Sequence, residues 1–295
     1  MGVVELTPPQ IALAASELAL LVAGGYLLTT HLGPREKRES FLEANGLPKW
    51  SLTGVEVILL VLMIFVFGTA GQTLAARLLS PHVHASPDKA GLEIAVYGLA
   101  FHGLALLGWP VFFLIRGHLF ADYGTAPDPV EPPTPVSRPR LSWGEVFRQA
   151  AMTLAMALPI VAAVSFLWNN VLHLLHLPTE PQDLLAIFGD GHSRLVFAGM
   201  LAVACVVAPI NEELLFRGAI YRALRQRYGR IVGLVFSGVF FGAIHGNWSG
   251  ALPLAVFGAA LALAYERTGD IRVNIVIHGL FNLNTILVLV SGLPQ

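Results

Sequence analysis

The sequence predicts an all-α polytopic integral membrane protein of about eight transmembrane helices. Three observations carry that class. Of 295 residues, 55% are hydrophobic and only 13% charged, with a mean hydropathy of +0.67; a soluble domain carries about 25% charged residues. Apolar runs close to the roughly 20 residues needed to cross a bilayer recur along the whole chain. With eight spans, fifteen of the eighteen Lys and Arg residues fall on one side, leaving only Arg77, Lys89 and Arg194 opposite. Cytoplasmic loops are the basic ones, so both termini are expected outside, in what would be a bacterial plasma membrane.

The spans are expected near 11–31, 53–76, 92–115, 148–172, 195–216, 231–246, 250–265 and 273–292. The first has no basic region before it, so no cleavable signal peptide is expected. Glu17, Glu56 and Glu93 lie within a turn or two of span boundaries and read as interfacial. His102 lies deeper in the third span, where a hydrogen-bonded packing role is expected. After that span, Thr125 to Pro139 holds six prolines and reads as an extended cytoplasmic linker. It divides residues 1–140, an N-terminal accessory membrane region, from residues 141–295, the region expected to carry the chemistry. Ser142-Trp143-Gly144-Glu145 has the form of a capping box opening the fourth span. Pro159 is expected to kink that span. His173 and His176, with Asn169 and Asn170 beside them, read as a polar outer helix end.

The fifth span runs straight into Pro209-Ile210-Asn211-Glu212-Glu213-Leu214-Leu215-Phe216-Arg217-Gly218. A charged group at mid-bilayer costs about 2.5–3.5 kcal/mol, so Glu212, Glu213 and Arg217 together cost on the order of 8–10 kcal/mol. The strong apolar residues upstream return about 0.3–0.6 kcal/mol each. These charges must therefore be paired or line a wet cavity inside a bundle. The sixth and seventh spans are short, about 15 residues each, or about 23 Å. Their connecting tip, Gly246 to Gly250, is expected to stop within protein-shielded membrane depth. Asn247-Trp248-Ser249 also matches a glycosylation sequon, a pattern with many false positives. His278 lies about 9 Å in from Arg272, whereas His245 lies about 21 Å from Arg230. The two can meet only if the fifth and sixth helices reach beyond the membrane on the basic side.

Two further pairs use four-residue helical spacing: Phe241 with His245, and His278 with Asn282. Taken together, E-E-x-x-x-R (Glu212, Glu213, Arg217), F-x-x-x-H and H-x-x-x-N resemble the three motifs of the CPBP intramembrane proteases. That family comprises the type II CAAX prenyl endopeptidases and the bacterial Abi, bacteriocin-processing proteins. The resemblance covers about residues 195–290 and implies peptide hydrolysis. It implies Glu212 as general base, His245 holding the same water, and His278 with Asn282 at the oxyanion. Glu213 and Arg217 would support them as an ion pair. Spacing alone does not rank Glu212 over Glu213.

No cofactor is expected on this reading. The alternative is a zinc metalloprotease with Glu212, His245 and His278 as ligands, although H-E-x-x-H is absent. A non-enzymatic immunity or partner protein and a small transporter are the other readings; no repeat between the halves favours the latter. The single cysteine, Cys205, excludes an internal disulfide and a multi-cysteine metal site. Expected partners are membrane lipid and a membrane-associated peptide or protein substrate: a CAAX-type tail, a bacteriocin leader or an anchored regulator. No nucleic acid is expected.

Overall fold

The computed structural model describes residues 6–42, 47, 52–122, 140–180, 187–189 and 191–292. Among these residues the secondary structure is helical, without strands. The proline-rich segment lies outside the described residues. Helix α1 spans Pro8–Leu32, and the short α2 spans Arg35–Leu42. Helix α3 spans Gly54–His84. Lys89–Leu92, Glu93–Tyr97 and Gly98–Asp122 run on as one helix, α4. Then come α5, Trp143–Leu174, and α6, which runs continuously over Arg194–Tyr228. Arg230–Ala243 forms α7, Trp248–Thr268 forms α8 and Ile271–Val290 forms α9.

Seven of these helices are long and apolar enough to cross a membrane. The sixth expected span corresponds to α7, a shorter apolar helix of 14 residues, about 21 Å long against a hydrocarbon core of about 30 Å. It packs on α8 through Gly238, Gly242 and Gly258, where an added Cβ would meet backbone at 2.2–3.1 Å. Small residues are how membrane helices approach closely.

One end of the bundle is basic and cross-tied. Arg116 of α4 donates to Glu56 of α3 at 2.6 Å, and Arg225 and Arg230 both donate to Glu266 of α8. Arg272 reaches the Leu141 carbonyl at 2.8 Å. Tyr228 and Gly229 close that end of α6, so the helix continues well past Arg217, the extension that the histidine depths require. At the opposite end Asp88 pairs with His192, and Gln10 donates to the Ser291 carbonyl at 2.9 Å.

Several local readings change. Helix α2 was not expected; its charged sequence REKRESFL lacks an apolar run. Helix α3 continues eight residues beyond the expected end, to His84. Only half of the expected capping box forms: Ser142 Oγ accepts from the Glu145 amide, while the Glu145 carboxylate takes Arg148 and Gln149 instead. Asn247 is the N-cap of α8, accepting from the Gly250 amide at 2.8 Å and donating to the Glu180 carbonyl at 3.0 Å. The sequon-like tripeptide is thus a helix start tied to the loop after α5.

Candidate active site

Helix α6 departs from regular α geometry at two places, Val203–Val207 and Leu214–Tyr221, both wound as π-helix. Between them sits the six-residue stretch Ala208–Glu213. Sequence chemistry explains the first bulge. Pro209 has no N–H to give the Cys205 carbonyl one turn back. Gly279 of α9 presses against that carbonyl, so closely that a Cβ there would stand 2.3 Å from the oxygen. Three residues on, Asn282 Nδ2 donates to the neighbouring Ala204 carbonyl at 2.8 Å. Wide turns of this kind are frequent at functional sites because they re-aim the side chains that follow.

The side chains that follow are the charged ones. Glu213 and Arg217 are buried at 0% and 1% exposure, and Glu212 is partly exposed at 21%. Arg217 Nη1 donates to Glu213 Oε1 at 2.8 Å, and its Nη2 donates to the Gly258 carbonyl of α8, also at 2.8 Å. The guanidinium lies 4.8 Å from the Phe241 ring centroid, a cation–π contact in a desolvated setting. One planar group thus ties α6, α7 and α8 together.

His278 enters from α9. Its Nδ1 lies 2.8 Å from Glu213 Oε1, the oxygen that also takes Arg217. A carboxylate paired with a guanidinium is an acceptor, so Nδ1 carries the hydrogen. Nε2 then faces Glu212 Oε2 at 3.8 Å. That separation exceeds a direct hydrogen bond, yet it lets both groups engage one oxygen atom between them. Glu212 Oε2, Glu213 Oε2 and Asn211 Oδ1 are buried acceptors without a hydrogen-bond partner among the described residues. Such atoms call for an explanation, and a polar reaction partner is one.

His245 stands in the turn after α7, with Nδ1 2.7 Å from the Phe241 carbonyl. A carbonyl only accepts, so Nδ1–H donates. The Phe241 ring touches both imidazoles, at centroid distances of 5.0 Å to His245 and 5.5 Å to His278. The structure therefore gathers Glu212, Glu213, Arg217, Phe241, His245 and His278 in one region. Asn282 borders it, with one amide hydrogen given to the backbone. Among the described residues, no three His, Cys, Asp or Glu side chains converge as ligands of one metal ion would.

One contact was not read from the sequence. His102 of α4 lies with Nδ1 3.3 Å from Asn211 Nδ2, beside Glu212. The hydrogen-bonded role expected for His102 is present, but its partner belongs to the motif helix. Seven residues further along each helix, Trp109 and Gly218 also face one another, with Ile271 completing the group. These three line a cavity of about 510 Å³ towards the basic end. His278 stands seven residues after Ile271, so the cavity lies about 10 Å from the charged cluster along three helices.

The chain is similar to known proteins over the same region. Residues 194–284 match the family model of the type II CAAX prenyl endopeptidases, Rce1-like. The Putative membrane peptidase YdiL of Bacillus subtilis is 34% identical over 83 residues, which is 28% of this chain and 34% of that protein. An uncharacterized 24.3 kDa protein of Escherichia coli is 29% identical over 127 residues, 40% of this chain and 58% of that protein. The chain thus spans about a third and somewhat over half of these two relatives' lengths. No solved structure matches. The region similar to the type II CAAX prenyl endopeptidases, residues 194–284, holds all seven motif residues.

Proposed function

We propose that the protein is an intramembrane endopeptidase in which Glu212 activates water against a peptide bond of a membrane-associated substrate. The observation that supports this most is the placement of His278 between two carboxylates, Nδ1 at 2.8 Å from Glu213 and Nε2 at 3.8 Å from Glu212. Glu213, neutralised by Arg217, is the fixed partner; Glu212 keeps a buried acceptor oxygen for chemistry.

The Glu212 carboxylate takes a proton from water as the oxygen attacks the scissile carbonyl, and returns it to the leaving amine. His245 holds the same water. The tetrahedral oxyanion is met by the second amide hydrogen of Asn282 and, once its Nε2 carries a proton, by His278. Arg217 and Glu213 position His278 and do not touch substrate. Residues 141–295 form the protease domain on this reading, and residues 1–140 an accessory membrane region that abuts it at His102. The cavity towards the basic end offers the approach, so the substrate comes from the cytoplasmic half with both termini outside. A CAAX-type tail, a bacteriocin leader and an anchored regulator remain the substrate classes the family implies.

Comparative proteomics of membrane fractions from cells carrying the wild-type chain or Glu212→Gln tests the reading. A precursor should accumulate uncleaved in the variant, and purified wild-type protein in detergent should cleave it. No accumulating precursor, with no cleavage by purified protein, would return the chain to the non-enzymatic partner reading.

A further inference from the structure

Glu212 stands between two anchored neighbours and has no anchor of its own. On one side Glu213 is held by Arg217 and His278. On the other, Asn211 is buried, and its one side-chain hydrogen bond among the described residues joins it to His102 of α4, Nδ2 to Nδ1 at 3.3 Å. No hydrogen bond among those residues holds the Glu212 carboxylate, and His278 Nε2 is 3.8 Å from it. The aim of Glu212 therefore depends on the backbone that its two neighbours fix.

That backbone is Ala208–Glu213, six residues of α-helix between two π segments. A stretch so short, with widened turns on both sides, is not held in rotation by a regular ladder of its own. Helix α4 supplies the outside constraint. It follows α6 through Gly98 against Val203, His102 against Asn211 and Trp109 against Gly218. Only the middle contact is polar. Apolar contact sets a distance, whereas a hydrogen bond also sets a direction. The amide nitrogen of Asn211 only donates, so His102 Nδ1 is the acceptor. A buried amide deprived of that acceptor has to turn towards another, and such a turn of the stretch carries Glu212 away from His278. His102 lies outside residues 194–284, so the motif helices do not supply this anchor themselves.

We infer that His102 is a positioning residue for the proposed hydrolysis: by accepting from Asn211 it holds Ala208–Glu213 in the rotation that turns Glu212 towards His278. The inference rests on the reading of Glu212 as the base. It goes beyond that reading by making α4, from the accessory region, a working part of the site.

The test is steady-state cleavage, by purified full-length protein in detergent, of the precursor isolated from Glu212→Gln membranes. His102→Leu should lower kcat by about tenfold to a hundredfold, the range a small misplacement of a reacting group commands. KM should stay within about twofold, because His102 touches no substrate. His102→Asn should recover most of the rate, since its amide oxygen can accept where Nδ1 did. Asn211→Ala should match His102→Leu, and the double variant should be no slower than either, as for two residues acting through one contact. If His102→Leu does not fold, His102→Gln takes its place, because its amide reaches past the Nδ1 position. A wild-type kcat in the variant would overturn the inference and leave the hydrolysis standing. His102 also interacts with the Glu212 charge, so folded His102→Asn as slow as His102→Leu would overturn positioning in favour of proton transfer by the ring. Additive losses in the double variant would overturn it by separating His102 from Asn211. Wild-type protein that cleaves nothing would instead remove the hydrolysis reading, and this inference with it.

Discussion

His278 Nδ1 and Arg217 Nη1 reach the same oxygen, Glu213 Oε1, each at 2.8 Å. A single carboxylate atom thus fixes an imidazole from α9 and a guanidinium from its own helix. Arg217 adds the Gly258 carbonyl and the Phe241 face, so its planar shape matters as much as its charge. Arg217→Ala would strand Glu213 as a buried charge, and breaking such a pair costs about 3–5 kcal/mol. Activity and thermal stability in detergent should fall together. Arg217→Lys should restore little of either, because an ammonium cannot donate to both partners across a ring face. Full stability with activity abolished would move Arg217 into the chemistry itself.

The contact between α9 and the first π segment gives a second expectation. Gly279→Ala places a methyl 2.3 Å from the Cys205 carbonyl oxygen, and backbone must give way. Overpacking of this kind costs about 1–3 kcal/mol. The shift would carry Asn282 from Ala204 and His278 from Glu213. A lowered melting temperature and a loss of turnover larger than the loss of folded protein are expected. Wild-type turnover in the folded variant would show that the fit of α9 on α6 does not set the site.

Much of this site was legible in the sequence because polar residues in apolar runs have to go somewhere. Glu212, Glu213 and Arg217 announce a paired or wet interior by their cost alone, and the four-residue spacings put Phe241 with His245 and His278 with Asn282. What the sequence hides is contact across distance. His102 and Asn211 are 109 residues apart, and nothing local to either names the other. A signal did exist: a histidine deep in a span with no neighbour of its own to bond needs a partner on another helix.

The second hidden feature is winding. Pro209 was visible, but its consequence, a π segment that turns Glu212 and Glu213 inward, depends on Gly279 and Asn282 docking from α9. Helix α2 was missed because an eight-residue charged helix carries no apolar period. Asn247 opens a sequon-like tripeptide, a pattern with many false positives, and its side chain serves as a helix cap.

Topology yields a third expectation. The basic ends of α6, α8 and α9 lie together, away from the Asp88–His192 end. If the basic end is cytoplasmic, a cysteine placed at Tyr228 should react only from inside and one at Ser86 only from outside. Tyr228 is exposed and, unlike Gly229 with its φ of 88°, accepts a side chain without strain. Labelling of both from the same side would break the eight-traverse arrangement.

The last expectation concerns what activates water. A catalytic zinc usually takes three protein ligands and leaves one position open. Glu212, His245 and His278 would be the ligands here, but His278 Nδ1 is committed to Glu213, and its Nε2 stands 3.8 Å from Glu212. His245 has Nδ1 on the Phe241 carbonyl. A zinc would take the remaining nitrogen of each ring and leave Asn282, already bonded to Ala204, as the only motif group for the oxyanion. Direct activation by Glu212 gives every motif residue a task. Under it, Glu212→Gln keeps the shape and loses the base, so turnover should drop by about 10²–10⁴ with the melting temperature held. Glu213→Gln should lower stability as well as turnover, because Arg217 then lacks its counter-charge. Active protein dialysed against a strong chelator should keep its rate and carry well under one zinc per chain. Stoichiometric zinc, lost together with activity and regained with it on adding metal back, would replace this mechanism with the metalloprotease.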